Sequence, residues 1–223
     1  MDEVKVCVAL VSGGLDSPVA LARALKAGWT VYPVHCSPEP VVGPEAEEKT
    51  IAALRHFLKA NGPIGEAARS QLHPVLTVVP VAPQLALFTE KWAHTEYFIH
   101  MKRMYHRLAD FAAQEVSATH LLTGENLGHV SSQTLGNLGS IEQASSLIPL
   151  RPLLGFDKNT IISMSRVLDV YELSLGPEVC DALGPTTPVT IANQEWIEKS
   201  ELRAGGMQEL CESAWALRRH VVL

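Results

Sequence analysis

Nothing in these 223 residues supports a disulfide scaffold or a structural zinc site. The four cysteines, Cys7, Cys36, Cys180 and Cys211, are widely scattered, form no CxxC pair and have no histidine at zinc-site spacing. No uninterrupted stretch approaches the roughly 18 apolar residues that a membrane helix needs, and the apolar N-terminal run is preceded by acidic residues and ended by a glycine pair. That excludes a spanning helix or signal peptide and predicts a cytoplasmic protein. Excess positive charge is lacking too: the formal net charge is −6, which disfavours broad electrostatic binding to phosphate backbones. A nucleic-acid substrate would need help from a partner or a dimer. Repeats and low-complexity tracts are also absent. What is there, 47% hydrophobic and 19% charged residues with ordinary Gly and Pro counts, is the composition of a folded soluble protein.

Apolar, β-branched runs recur at 4–11, 30–35, 74–81, 119–124 and 146–153, and helical patterns fall between them, near 17–27, 45–60, 92–116, 126–138 and 157–169. This alternation predicts an α/β fold, an open parallel sheet with helices on both faces. Segments 37–44 and 61–73, rich in Pro, Gly and Ser, read as loops. The stretch 174–193, with Pro177, Pro185 and Pro188, is too long for an idle connection. Residues 1–190 are expected to form the main domain. Residues 191–223 form a helical extension packed on it, one or two helices broken at Gly205-Gly206.

After the first strand comes Ser12-Gly13-Gly14-Leu15-Asp16-Ser17-Pro18. Pro18 suits the first turn of a helix, so the loop sits between a strand and a helix N-terminus. Adjacent glycines let successive N–H groups converge on an anion, the helix end adds partial positive charge, and Ser12 and Ser17 offer hydroxyl donors. Asp16 is out of place in an anion site unless it binds Mg2+ that offsets the phosphate charge. A bare Gly-Gly pair would equally fit an ordinary capped turn; the full SGGLDS string is far more specific. It lacks the Gly-Lys-Ser/Thr ending of a Walker A loop. It resembles instead the PP-loop of the ATP pyrophosphatases, which cleave ATP between the α and β phosphates and adenylate a substrate.

A second block, Thr123-Gly124-Glu125-Asn126-Leu127-Gly128-His129-Val130-Ser131-Ser132-Gln133-Thr134-Leu135-Gly136-Asn137-Leu138, follows the fourth predicted strand and delivers Glu125, Gln133 and small hydroxyl residues to the ligand-binding edge of such a sheet. It resembles the TGExLGQVxSQTLxNL signature of the tRNA 4-thiouridine synthase family, also named for thiamine biosynthesis, with His129 in place of the usual Gln. Leu150-Arg151-Pro152-Leu153-Leu154-Gly155-Phe156-Asp157-Lys158 resembles the family's RPLxxxDK element, and Lys102-Arg103-Met104 with Arg107 its KRMxxR helix.

The resemblance implies an ATP-dependent sulfurtransferase in tRNA modification. ATP and Mg2+ would be held by Ser12, Gly13, Gly14, Asp16, Ser17, His35, Gly124, Glu125 and Gln133. Asp16 and Lys158 would be catalytic; Lys158 either neutralises the α phosphate or is a solvated first-turn lysine. Lys102, Arg103, Arg107 and Arg151 would touch substrate, although a solvated basic helix face fits the first three equally. Cys180 falls where the family has its catalytic cysteine, with Cys211 the other possible resolving thiol and Cys7 and Cys36 in the core. Leu183, three positions on, argues against a local CxxC. The implied partners are tRNA and a persulfide donor such as a cysteine desulfurase, with a homodimer as one source of tRNA grip. The sequence starts at the PP-loop strand, without the family's ferredoxin-like, THUMP or rhodanese segments. The same chemistry on another acceptor, or a non-catalytic nucleotide-binding subunit, stays open. His94, His100 and His106, six apart, share no helix face and are expected to have separate surface roles.

Overall fold

The computed structural model describes residues 5–176 and 183–223, so Cys180 lies outside the described residues. In chain order the regular elements are β1 (Val6–Leu10), α1 (Asp16–Lys26), β2 (Thr30–Ser37), α2 (Glu45–Lys59), α3 (Gly62–Gln71), β3 (Val75–Pro80), α4 (Ala82–Ala86), α5 (Tyr97–Val116), β4 (His120–Leu122), α6 (Leu135–Glu142), β5 (Ile148–Leu150), α7 (Lys158–Val167), α8 (Gln194–Arg203), α9 (Met207–Trp215) and β6 (Arg219–Val222). Among the described residues the strands form one sheet in the order β5-β4-β1-β2-β3-β6, parallel throughout except for β6, which runs antiparallel to β3.

Burial on both faces explains why the central strands read as unbroken apolar runs rather than alternating ones. Cys7 and Ala9 of β1 face a core built with Leu21 and Leu25 of α1, Phe57 of α2 and Ile161 of α7. Val8, one residue out of phase, faces the opposite core with Met104 and Leu108 of α5 and Cys211 of α9. Each fully buried Leu or Phe in these layers contributes about 1.5–3 kcal/mol relative to exposure.

Three local expectations are corrected. Residues 61–73 are mostly helix: Pro63 is tolerated in the first turn of α3, and Ile64, Ala67, Ala68 and Leu72 pack on the α1 side of the sheet. The helix expected at 126–138 is instead an irregular loop with a single 3-10 turn, Ser131–Gln133; α6 starts only at Leu135, where Thr134 Oγ1 accepts the Asn137 N–H at 3.2 Å. The C-terminal segment holds two helices separated near Gly205-Gly206, but it ends in a strand, β6, whose Val221 pairs with Leu76.

Candidate active site

The Ser12–Pro18 loop follows β1, the Gly124 loop follows β4 and the turn before Lys158 follows β5, each at the C-terminal end of a parallel strand, where ligands bind in open α/β sheets. Gly13 has φ +73°, and a Cβ placed there would lie 2.2 Å from the carbonyl oxygen of Ala46. Any side chain would therefore push the loop off α2 as well as strain it. Gly124, at the end of β4, approaches as closely from the other side: a Cβ there would come within 2.9 Å of the Ser17 nitrogen. Ser12 N–H donates to Ser17 Oγ at 3.2 Å and Gly14 N–H to Ser12 Oγ at 3.4 Å, so both hydroxyls shape the loop. No side-chain cap among the described residues takes the first N–H groups of α1, which leaves that helix end open to an anion.

His35 supports the loop from beneath. Its Nδ1–H donates to the Val11 carbonyl at 2.8 Å, which leaves Nε2 as a lone-pair acceptor, buried and unpartnered among the described residues. Burial pushes the His35 pKa down, so the ring is neutral at pH 7. Asp16 opens α1, and Lys158 opens α7 just after Asp157, whose carboxylate caps the helix by accepting the Thr160 N–H at 2.9 Å. Lys158 Nζ stands 3.6 Å from Asp16 Oδ1. The carboxylate atom has no hydrogen-bond partner among the described residues.

Glu125 and Gln133, expected to serve the nucleotide together, are placed differently. Both Glu125 oxygens are engaged internally: Oε1 accepts from Lys102 Nζ at 2.9 Å, and Oε2 accepts from Arg151 Nε at 2.6 Å and from Thr123 Oγ1 at 3.2 Å. Burial alone would raise this carboxyl, but Lys102, His106 and Arg151 hold it far below the usual carboxylate range. Arg151 is shared with Glu142. Glu125 is thus the hub that fixes Lys102 and Arg151, not a free acceptor. Gln133 Oε1, in contrast, is buried and unpartnered among the described residues.

The basic face expected on α5 is also corrected. Arg103 is 2% exposed and points inward, where it forks onto both carboxylate oxygens of Glu201 in α8 and donates to the Ser140 carbonyl in α6. A buried guanidinium needs such partners, and Arg103 is a structural tie instead of a tRNA contact. Arg107 is half-buried, with Nε unpartnered among the described residues. Two of the three histidines also lack their expected surface roles. His100 is fully buried, its ring stacked on Phe88 at 4.4 Å and its Nδ1 3.8 Å from Glu201; His106 is 2% exposed, and burial lowers its pKa to about 4.

Cys7, Cys36 and Cys211 are all buried free thiols. Burial pushes Cys7 and Cys211 up to about 12 and Cys36 higher still, so none is a thiolate near neutral pH. Cys211 Sγ points at the Met104 carbonyl, 3.8 Å away in the core, which removes it as a resolving thiol.

The residues fit a nucleotide. Among the described residues Asp16 Oδ1, His35 Nε2 and Gln133 Oε1 are buried polar atoms without partners, the first of them at the start of α1, which no side chain caps. Among the described residues no group of three or more His, Cys, Asp or Glu could hold a metal. Magnesium does not require one, since it binds through one or two carboxylates plus substrate phosphates and water.

The hub yields a stability test. Replacing Glu125 by Gln leaves Lys102 and Arg151 uncompensated and should cost about 3 kcal/mol in urea unfolding at pH 7. A carboxyl depressed in the fold stabilises above its unfolded pKa of about 4.3 and loses that contribution as pH falls toward the folded value. The gap between wild type and Glu125→Gln should therefore stay level from pH 8 to about 5 and narrow only in stronger acid.

A parallel sheet with a Gly-rich loop running into a helix, without the Walker lysine, defines a nucleotide-binding α/β protein of the PP-loop class. The chain belongs to the thiamine biosynthesis protein (ThiI) family, whose model matches residues 4–204. It is 37% identical over 200 residues to a probable tRNA sulfurtransferase of Thermus thermophilus, an alignment covering 88% of this chain and 46% of that protein. A probable tRNA sulfurtransferase of Staphylococcus aureus is 34% identical over 195 residues, 86% of this chain and 45% of that one. The chain thus spans about half the length of the curated relatives it matches. Its fold superposes with TM-score 0.87 and 32% identity on a crystal structure of a 4-thiouridine synthetase–RNA complex with bound ATP, covering 98% of this chain and 55% of that one.

Sequence reasoning overlooked Asn126 and Asn137 as working residues. Asn126 Nδ2 donates to the Leu153 carbonyl at 2.8 Å and also to that of Phe156, and so ties the β4 loop to the turn before Lys158. Asn137 is fully buried in α6. The available signal was an amide at an otherwise inward helix position, which demands hydrogen-bond partners.

Proposed function

We propose that this chain is an ATP-dependent tRNA sulfurtransferase of the cytoplasm that converts a uridine to 4-thiouridine. The observation that supports this reading best is the Gly13-Gly14 loop packed between α2 and Gly124 at an α1 helix end that no side chain among the described residues caps, with Lys158 beside Asp16. The N–H groups of the loop and α1 would hold the phosphates of ATP, and Asp16 would hold a magnesium ion that offsets their charge. Lys158, together with the α1 N-terminus, stabilises negative charge as the uridine O4 attacks the α phosphorus and pyrophosphate leaves. Sulfane sulfur from a persulfide, on Cys180 or presented to it by a donor such as a cysteine desulfurase, then attacks C4 and expels AMP with the original oxygen. Cleaving the resulting S–S bond takes two electrons from an external thiol, because Cys7, Cys36 and Cys211 are buried. With a net charge of −6, tRNA affinity is assigned to a partner or to a homodimer.

Because the chain spans about half of its relatives, the same adenylation and sulfur chemistry on another acceptor, such as a sulfur carrier protein, is the second reading. Two measurements test the proposal: products from α-labelled ATP, and nucleoside mass spectrometry of the tRNA. AMP, pyrophosphate and 4-thiouridine are expected. ADP and phosphate would end the PP-loop mechanism, while AMP without a thiolated nucleoside would favour the second reading.

A further inference from the structure

The loop that carries Gln133 owes its shape to a residue with no assigned role. Among the described residues, Asn137 is 0% exposed and its side chain satisfies three groups at once. Nδ2 donates to the Ser131 carbonyl at 2.7 Å and to the Val189 carbonyl at 3.1 Å, while Oδ1 accepts the Ala192 N–H at 2.7 Å. These partners fix the orientation of the amide, because two carbonyls face one end and an N–H faces the other. The Ser131–Gln133 turn is otherwise closed on itself by the Gly128 N–H on the Gln133 carbonyl and the Gln133 N–H on the Val130 carbonyl, both 2.9 Å. Asn137 therefore joins this turn to the segment 189–192. Around it the same two pieces of chain are stitched again: Thr134 Oγ1 donates to the Thr190 carbonyl at 2.7 Å, and Ser140 Oγ to Gln194 Oε1 at 2.6 Å. Arg103 anchors both from behind, on the Ser140 carbonyl and on Glu201.

We propose that Asn137 is a positioning residue that locks the Gln133 turn onto the segment 189–194, making that segment and the helix after it a brace for the nucleotide site. Asn137 acts through Gln133, whose Oε1 is buried and without a partner among the described residues. The role assigned to that ligand rests on the ATP reading above; the brace itself does not.

Asn137→Asp in the full chain tests this. The substitution preserves shape and the acceptor for Ala192 but turns an anion toward two carbonyl oxygens. That environment raises the new carboxyl above its unfolded value, so the variant is near-normal at low pH, where the neutral acid donates one bond, and impaired as pH rises through the raised value. ATP affinity at pH 8 should fall about tenfold or more, the usual consequence of unmade buried bonds, and recover toward wild type by about pH 5.5. Hydrogen exchange at pH 8 should quicken at 128–133 and 189–192 and stay unchanged in β1 and α1, a pattern that general destabilisation does not produce. If Asn137→Asp fails to fold, Thr134→Val replaces it: it loses the outer bond and the α6 cap, and Thr134→Ser, which keeps both, should restore wild-type exchange. Unchanged exchange in both segments in a folded Asn137→Asp chain overturns the brace. Altered exchange with unaltered ATP affinity overturns the positioning role. A wild-type chain that binds no ATP removes the nucleotide reading, and the exchange pattern then decides the brace alone.

Discussion

Asp16→Ala is expected to reduce pyrophosphate release from ATP by at least about 10²–10³-fold, the loss typical of removing one preorganised charge-stabilising group. The carboxylate sits on the first residue of α1, where its own charge opposes the phosphates that the helix end attracts. Its oxygen is buried, lacks a hydrogen-bond partner among the described residues and has Lys158 Nζ 3.6 Å away. Such a group is costly unless a cation completes it. Lys158, half exposed, supplies a cation beside it. The fold should survive, because the buried side of α1 is made by Val19, Leu21 and Leu25 and not by Asp16. Lys158→Ala should lose the same step. Circular dichroism melts within a few degrees of wild type, combined with absent pyrophosphate, are the expected result. Wild-type pyrophosphate release by Asp16→Ala would remove the PP-loop carboxylate from the chemistry.

The elements that the sequence exposed clearly were those whose local signal and burial agree. β1 and β2 are apolar because both faces are covered, and SGGLDS falls between strand and helix because only glycine tolerates the Ala46 contact at position 13. What stayed hidden depends on partners far along the chain. Arg103 and Glu201 lie 98 residues apart, so a basic helix face looked solvent-facing when one of its cations is the centre of a buried tie. Glu125 read as a ligand acceptor because nothing local shows that Lys102 and Arg151 fill it. Strand β6 escaped notice because four residues at a sheet edge carry little pattern of their own, and its pairing with β3 is a tertiary fact. The helix expected at 126–138 failed for the opposite reason. Its polar string serves loop contacts, with helix starting only where Thr134 caps it.

Cys180→Ser should keep ATP binding and pyrophosphate release near the wild-type rate yet lose thiolation entirely, whereas Asp16→Ala and Lys158→Ala lose both. Of the four cysteines, three are buried free thiols whose pKa burial pushes well above the usual thiol range, so they are not thiolates near neutral pH. Neither nucleophilic attack nor persulfide loading is open to them. Cys180 lies outside the described residues, and its role is the one the family resemblance implies from its place after the Arg151–Lys158 element. Serine keeps the size and polarity of the side chain but carries no sulfane sulfur, so the substitution separates sulfur transfer from adenylation. Cys7→Ser, Cys36→Ser and Cys211→Ser should lower stability by about 1–3 kcal/mol, the cost of a buried hydroxyl without a partner, and leave thiolation per folded molecule unchanged. Thiolated nucleoside formed by Cys180→Ser at the wild-type rate would strip the covalent step from the mechanism. Sulfur would then reach the activated uridine directly, from free sulfide or from the donor.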